Sequence, residues 1–238
     1  MTEQLSGSLG LLMLDHGQAD NPARLNEPGS IQDPATVGCP ILTEIPEGAD
    51  GVKVCQGDLS LTPAYIAAAR RLVERGAVAI SSNCGFTIRY QEEVAAAVNI
   101  PVALSSMLLL PLLLKQVPQS AKIAILTYDT SYFDEELLGL SDPAERARIV
   151  LGGLEGTKYW HDELKHPAPP TDVGALEKDA HACITRLRES HPEIAAILFE
   201  CAGFPPITSA IRRLTGLPVY DIANLCRMMM GSISQAGA

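Results

Sequence analysis

Two cysteines carry the chemistry this chain could do. Cys84 closes the stretch Ala79-Ile80-Ser81-Ser82-Asn83-Cys84-Gly85-Phe86, and Cys201 stands in a second copy, Ala196-Ile197-Leu198-Phe199-Glu200-Cys201-Ala202-Gly203-Phe204. Each copy is an apolar run, a polar residue, a cysteine, small residues and a phenylalanine. The cysteines lie 117 residues apart, and Pro101 and Pro218 repeat that offset in Ile100-Pro101-Val102 and Leu217-Pro218-Val219. A matched pair of thiols suits inversion of a carbon stereocentre, where one face of the carbon needs a base and the other an acid. A thiol becomes a competent base when its pKa is drawn toward neutrality, as at a helix N-terminus. Gly85 and Ala202 leave nearby backbone N–H groups uncluttered, to hold a substrate carboxylate and the charge that develops on it.

The elements that must position these thiols can be read from the flanking pattern. Residues 78–81 and 194–199 are short apolar runs, as expected of parallel strands covered on both faces. Helix-favouring residues come after each cysteine, Glu92 to Val98 after the first and Ile207, Ala210, Ile211 and Leu214 after the second. Each cysteine therefore belongs at the carboxyl end of a strand, where open α/β sheets bind ligands and helix N-termini favour anions.

Residues 9–14 read as a first strand ending in Asp15 and His16, and 121–127 as its counterpart ending in Thr127. Strand 101–104 precedes a leucine-rich helix that belongs to the core or to a subunit interface, so a homo-oligomer is one expectation. Residues 17–50, rich in proline and glycine, read as a lid or a surface cover with a short strand near 41–45. Residues 52–54 read as an edge strand and 62–75 as an amphipathic helix. Further on, 133–139 and 143–150 read as short helical segments, 158–170 as an exposed connection with Trp160, His161 and His166, and 173–190 as a long helix. The expected architecture is α/β: two similar domains with parallel sheets related by a pseudo-twofold, 1–116 and 117–220, with a last helix in 221–238 returning to the first. The active site falls in the cleft between them.

Composition sets outer limits. Apolar residues make up 47 % of 238, enough for a real core, and the net charge of −10 argues against nucleic-acid or anionic-membrane partners. The apolar run 107–114 is too short to span a bilayer. Residues 1–12 lack the pattern of a secretory leader, so a cytoplasmic location is expected and the six cysteines are read as free thiols. No Cys-x-x-Cys or paired histidines suggest a metal, and no phosphate-binding glycine pattern suggests a nucleotide, so no cofactor is expected. Cys183 and Cys226 read as inert core residues, while Cys39 and Cys55 are undetermined.

The opening 9–15, the loop 28–36, Asn83-Cys84, Gly152-Gly153-Leu154-Glu155-Gly156 and Glu200-Cys201 together resemble the aspartate/glutamate racemase superfamily of cofactor-independent racemases and epimerases, over nearly the whole chain. The resemblance implies a two-domain fold with Cys84 and Cys201 as opposed acid and base. It implies Asn83 and Thr127 as carboxylate contacts and Asp15 and His16 as polar active-site residues. With Gly85, Phe86, Ala202 and Gly203 these make the expected substrate-binding set. The residues after each cysteine depart from the aspartate and glutamate enzymes, leaving room for a bulkier or less polar substrate. Arg89 reads as a partner for a distal carboxylate or as a solvated helix residue. The leading expectation is racemisation of an amino acid or related small carboxylate. The alternatives are a malonate-type decarboxylase or maleate-type isomerase, and a two-lobed ligand-binding protein without activity.

Overall fold

The structure, a computed structural model, describes residues 7–15 and 27–233. Among the described residues, eight strands form two four-stranded parallel sheets. The first holds β1 (Ser8–Leu12), β2 (Ile41–Glu44), β3 (Ala77–Ser82) and β4 (Val102–Ala103) in the order β2-β1-β3-β4. The second holds β5 (Lys122–Thr127), β6 (Ile149–Gly153), β7 (Ile194–Phe199) and β8 (Val219–Tyr220) in the equivalent order β6-β5-β7-β8. Even the irregularity of register recurs, falling between Ser8 and Leu9 in one sheet and between Lys122 and Ile123 in the other.

The central strands are mostly apolar because both faces are covered, with polar residues only at their ends. Alternation along each strand splits the core into layers. Leu9, Leu11 and Ala79 meet Ile123, Ile125 and Leu198 in one cluster shared by both sheets, together with Leu110, Leu113 and Leu114. Leu12 and Ile80 point the other way, onto Tyr65, Ala68 and Leu72 of the helix Thr62–Glu74. Ala124, Leu126 and Ile197 likewise meet Leu176, Ala180 and Ile184 of the helix Val173–Ser190. Their spacings put these residues on one helical stripe.

The last helix, Ile222–Gly231, begins with a capping box. Asp221 accepts from Asn224 N–H at 2.7 Å, and the Asn224 side chain accepts from Asp221 N–H at 3.2 Å. The helix lies against β3 and the short helix Pro34–Val37, where Arg227 Nη1 donates to Thr36 O at 2.6 Å.

Four local readings are corrected. Residues 52–54 are not a strand: Asp50 accepts from Val52 and Lys53 N–H and starts the helix Gly51–Cys55. Residues 149–153, read partly as helix, are strand β6, because the helix begun at Pro143 stops at Arg146. The segment 133–139 narrows to a 3₁₀ turn, Glu135–Leu138. Residues 158–163, read as part of an exposed connection, form a helix capped by Thr157, whose side chain accepts from Trp160 N–H. The described part of the 17–50 segment is ordered by similar local rules, with Asp33 capping the helix at Pro34 and Gly38 closing it at φ 80°.

Candidate active site

Strands β3 and β7 deliver the two cysteines to matched turns. Beyond β3, Asn83 N–H donates to Leu12 O at 3.1 Å and Asn83 Oδ1 accepts from Leu14 N–H at 2.8 Å. Beyond β7, Glu200 N–H donates to Leu126 O at 2.9 Å and Glu200 Oε2 accepts from the Thr127 hydroxyl at 2.8 Å. The residue before each cysteine thus ties its strand end to the neighbouring central strand. Each thiol then accepts from the backbone N–H two residues on, Phe86 for Cys84 and Gly203 for Cys201. After Cys84 the chain enters the 3₁₀ segment Gly85–Tyr90 and only then the α-helix Gln91–Ala97; after Cys201 it makes a turn and the 3₁₀ segment Pro205–Ile207. Neither thiol therefore sits directly on an α-helix N-terminus.

Both cysteines line one cavity of about 180 Å³. Asp15, Asn83, Gly85 and Phe86 reach it from the first half of the chain, and Ala202 and Gly203 from the second. Thr127 does not line it: fully buried, it spends its hydroxyl on Glu200. His16 lies outside the described residues. Arg89 is also away from the cavity, with Nη2 2.8 Å from Asp134 Oδ2 and 3.2 Å from Tyr132 O.

The electrostatics run against the expectation that the turn lowers the thiol pKa. The Cys55 thiol beside Cys84, then burial, then the charge of Glu200 hold Cys84 well above an ordinary thiol, against the Phe86 N–H. Burial and Glu200 raise Cys201 as well, opposed by Gly203 N–H and the Tyr159 hydroxyl, which lies 3.7 Å from Cys201 Sγ. Burial pushes Glu200 itself up to about 7, opposed by the Thr127 hydroxyl and the positive charge of Arg89. One Glu200 oxygen, Oε1, is buried with no hydrogen-bond partner, and Glu200 also lines the cavity. For Cys201 and Glu200 desolvation dominates because each charged form would lose water without gaining a full set of donors.

Several cavity residues escaped the sequence reading. Cys55 arrives from the helix misread as a strand. Tyr159, Glu163, Lys165 and His166 come from the helix 158–163 and the residues just after it. Tyr128 and Tyr132 lie just beyond β5. Glu200 was visible only as the neighbour of a cysteine. Lys165 Nζ is 2.5 Å from Asp162 Oδ1, and His166 Nε2 is 3.6 Å from Asp15 Oδ1. Among the described residues, no group of three His, Cys, Asp or Glu side chains is arranged to hold a metal ion.

Solved structures with a similar fold include an allantoin racemase from Klebsiella pneumoniae, 16 % identical with a TM-score of 0.61, covering 95 % of this chain and 87 % of that one. A mutant of arylmalonate decarboxylase in a sulfate-associated form is 17 % identical with a TM-score of 0.58, covering 97 % of each chain. A glutamate racemase from Francisella tularensis is 14 % identical with a TM-score of 0.54, covering 95 % of this chain and 80 % of that one. The chain has the fold of the aspartate/glutamate racemase superfamily. No family model matches it. By sequence, this racemase-fold chain is 33 % identical to a dimethylsulfoniopropionate lyase from Durusdinium sp. clade D over 155 residues, covering 62 % of this chain and 50 % of the relative. It is 27 % identical over 236 residues to dimethylsulfoniopropionate lyase 3 of Emiliania huxleyi, covering 95 % and 60 %. It thus spans about half to three fifths of the length of these curated relatives. Among the described residues, no helix of the racemase-fold chain is long and apolar enough to cross a membrane.

Proposed function

We propose that this racemase-fold protein is a cofactor-independent lyase that removes a proton from the carbon next to a small carboxylate, with dimethylsulfoniopropionate or a close analogue as substrate. The observation that carries this reading is a single equipped thiol: Cys201 opens on the cavity with Gly203 N–H and the Tyr159 hydroxyl beside its sulfur. The likeness to two dimethylsulfoniopropionate lyases supports elimination as the outcome.

Cys201 is the base in this scheme. Gly203 N–H and the Tyr159 hydroxyl both favour its thiolate, whereas Cys84 is tied to a second thiol that disfavours ionisation. The Cys201 thiolate takes the α-proton, and the C–H electron pair becomes the Cα=Cβ bond. The bond from Cβ to sulfur then breaks. Neutral dimethyl sulfide leaves with its electrons, acrylate remains, and the proton resides on Cys201 Sγ. A neutral leaving group needs no acid, so Cys84 is dispensable for this step. Asn83 suits the substrate carboxylate, because its Oδ1 is occupied by Leu14 N–H and the rest of the amide can only donate.

The matched placement of the thiols favours a second reading, racemisation of a small carboxylate, in which Cys84 returns the proton on the opposite face. One experiment separates them. The purified protein is given dimethylsulfoniopropionate, with headspace sulfide and NMR of acrylate as readouts, and in parallel a panel of amino acids in D₂O with α-deuteration as readout. Sulfide release that falls on the order of 10²- to 10⁴-fold in Cys201→Ser, with Cys84→Ser within about tenfold of the parent, supports the lyase. Amino-acid exchange lost in both variants, without sulfide, supports the racemase and overturns the lyase. Neither product from either panel overturns both.

A further inference from the structure

Four aromatic side chains line the same cavity: Phe86 from the first half, and Tyr128, Tyr132 and Tyr159 from the second. They meet in near-perpendicular pairs. Phe86 and Tyr132 have ring centroids 6.4 Å apart at 79°, and Tyr128 and Tyr159 have centroids 6.3 Å apart at 74°. Edge-to-face pairs of this kind turn ring faces in different directions. Neighbours brace two of the rings from behind: Tyr128 stacks on Trp160 at 17° with its hydroxyl donating to Trp160 O at 3.1 Å, and Tyr159 packs on Phe204.

The charges around these rings are mostly negative. Asp15, Glu27, Asp50 and Glu163 line the cavity together with Glu200. Among the described residues, the Lys and His side chains lining it are Lys165, paired with Asp162, and His166, facing Asp15. Glu27 and Asp50 accept backbone N–H groups, from Thr171 at 2.8 Å and from Val52 and Lys53 at 3.0 and 3.2 Å. They contribute field more than open acceptor sites. A primary ammonium, which must replace three hydrogen bonds to water, is poorly served by such a wall. A methylated onium group has no N–H or S–H to satisfy, and is attracted by ring faces and by diffuse negative potential.

We infer that Phe86, Tyr128, Tyr132 and Tyr159 form a binding wall for a methylated sulfonium or quaternary ammonium group, so that the substrate class is a carboxylate bearing an onium centre. This deepens the lyase reading and rests on it for the position of the carboxylate. It also places the onium group, which is the leaving group, on the aromatic side, with the α-carbon toward the thiols.

The test measures binding rather than turnover. Isothermal titration compares 3-(trimethylammonio)propionate with 4,4-dimethylpentanoate, which replaces the quaternary nitrogen by carbon at nearly the same size and shape. The wild-type protein is expected to prefer the cation by about tenfold. Equal or weaker binding of the cation overturns the inference with no variant needed. Tyr132→Leu and Tyr128→Leu are expected to shrink the preference to within about twofold while the neutral acid still binds. Loss of both ligands in equal proportion, in variants that keep their fold, makes the rings simple cavity walls and overturns it too. A cation preference without sulfide release from dimethylsulfoniopropionate sinks the lyase reading and leaves the onium site standing.

Discussion

The carboxyl that precedes Cys201 is packed against the glycine just after Cys84: a β-carbon on Gly85 would overlap both Oε1 and the backbone oxygen of Glu200. The two cysteine turns are therefore in direct contact, and Glu200 is the point where they touch.

Gly85→Ala should cost about 1–3 kcal/mol in urea unfolding, the usual penalty for overfilling a packed site. The Glu200 side chain can rotate away but its carbonyl cannot. Adding Glu200→Ala to Gly85→Ala should therefore not restore stability. Recovery of the parent midpoint in the double variant would show that only the side chain was in the way.

Glu200 should leave a mark on the pH dependence of stability. An ordinary carboxyl titrates near 4.5 and Glu200 near about 7. Between these values the folded chain holds a proton that the unfolded chain has lost, so stability falls as pH rises through this window. The contribution levels off above it, after a total loss of about 3 kcal/mol. Glu200→Gln should flatten this slope, measured by chemical denaturation at a series of pH values. An unchanged slope would mean that Glu200 is ionised throughout.

The thiols should be slow to react at neutral pH. Cys84 and Cys201 both hold their protons more tightly than a free thiol. Alkylation by iodoacetamide, with peptide mapping of the products, should still be accelerating at pH 9 for both. A plateau below pH 8 would contradict this. Because the charge of Glu200 raises both thiols, Glu200→Gln should speed both reactions by a few-fold at pH 8.

The buried Asp221 caps the last helix and accepts from the Thr208 hydroxyl at 2.5 Å. Asp221→Ala should destabilise the fold by about 2 kcal/mol, combining a lost N-cap with an orphaned buried hydroxyl. Asp221→Asn, which keeps an acceptor, should lose less. The comparison is by urea titration, and equal losses would assign the effect to charge.

Much of this architecture can be read from the repeat. A spacing of 117 residues, kept by both a cysteine and a proline, implies two equivalent strand-turn-strand units, and the sheets have the same strand order with the same register slip. Local chemistry misleads where a short polar cap outweighs pattern. Val52-Lys53-Val54 alternates like a strand, yet Asp50 folds it into a helix and so delivers Cys55 to the cavity. Strand β6 ends in two glycines and lies at a sheet edge, and its short Ile149-Val150-Leu151 run follows so closely on the capped helix at Pro143 that it reads as part of that helix. Tyr128, Tyr159 and Glu163 are not near either cysteine in sequence. Only the packing of the helix 158–163 on Tyr128, through Tyr159 and Trp160, makes them neighbours, which no local pattern encodes.

Leu9, Leu11 and Ala79 share one apolar cluster with Ile123, Ile125 and Leu198, so neither half of the chain covers its own inner face. A gene for one half alone would make a chain with that face open to water, and such a chain could persist only by pairing with its twin. If the repeat arose by duplication, its ancestor was a homodimer of single halves, with one kind of cysteine serving both sides of a symmetric cleft. Fusion then freed each copy to change independently, so that glutamate precedes one thiol and asparagine the other.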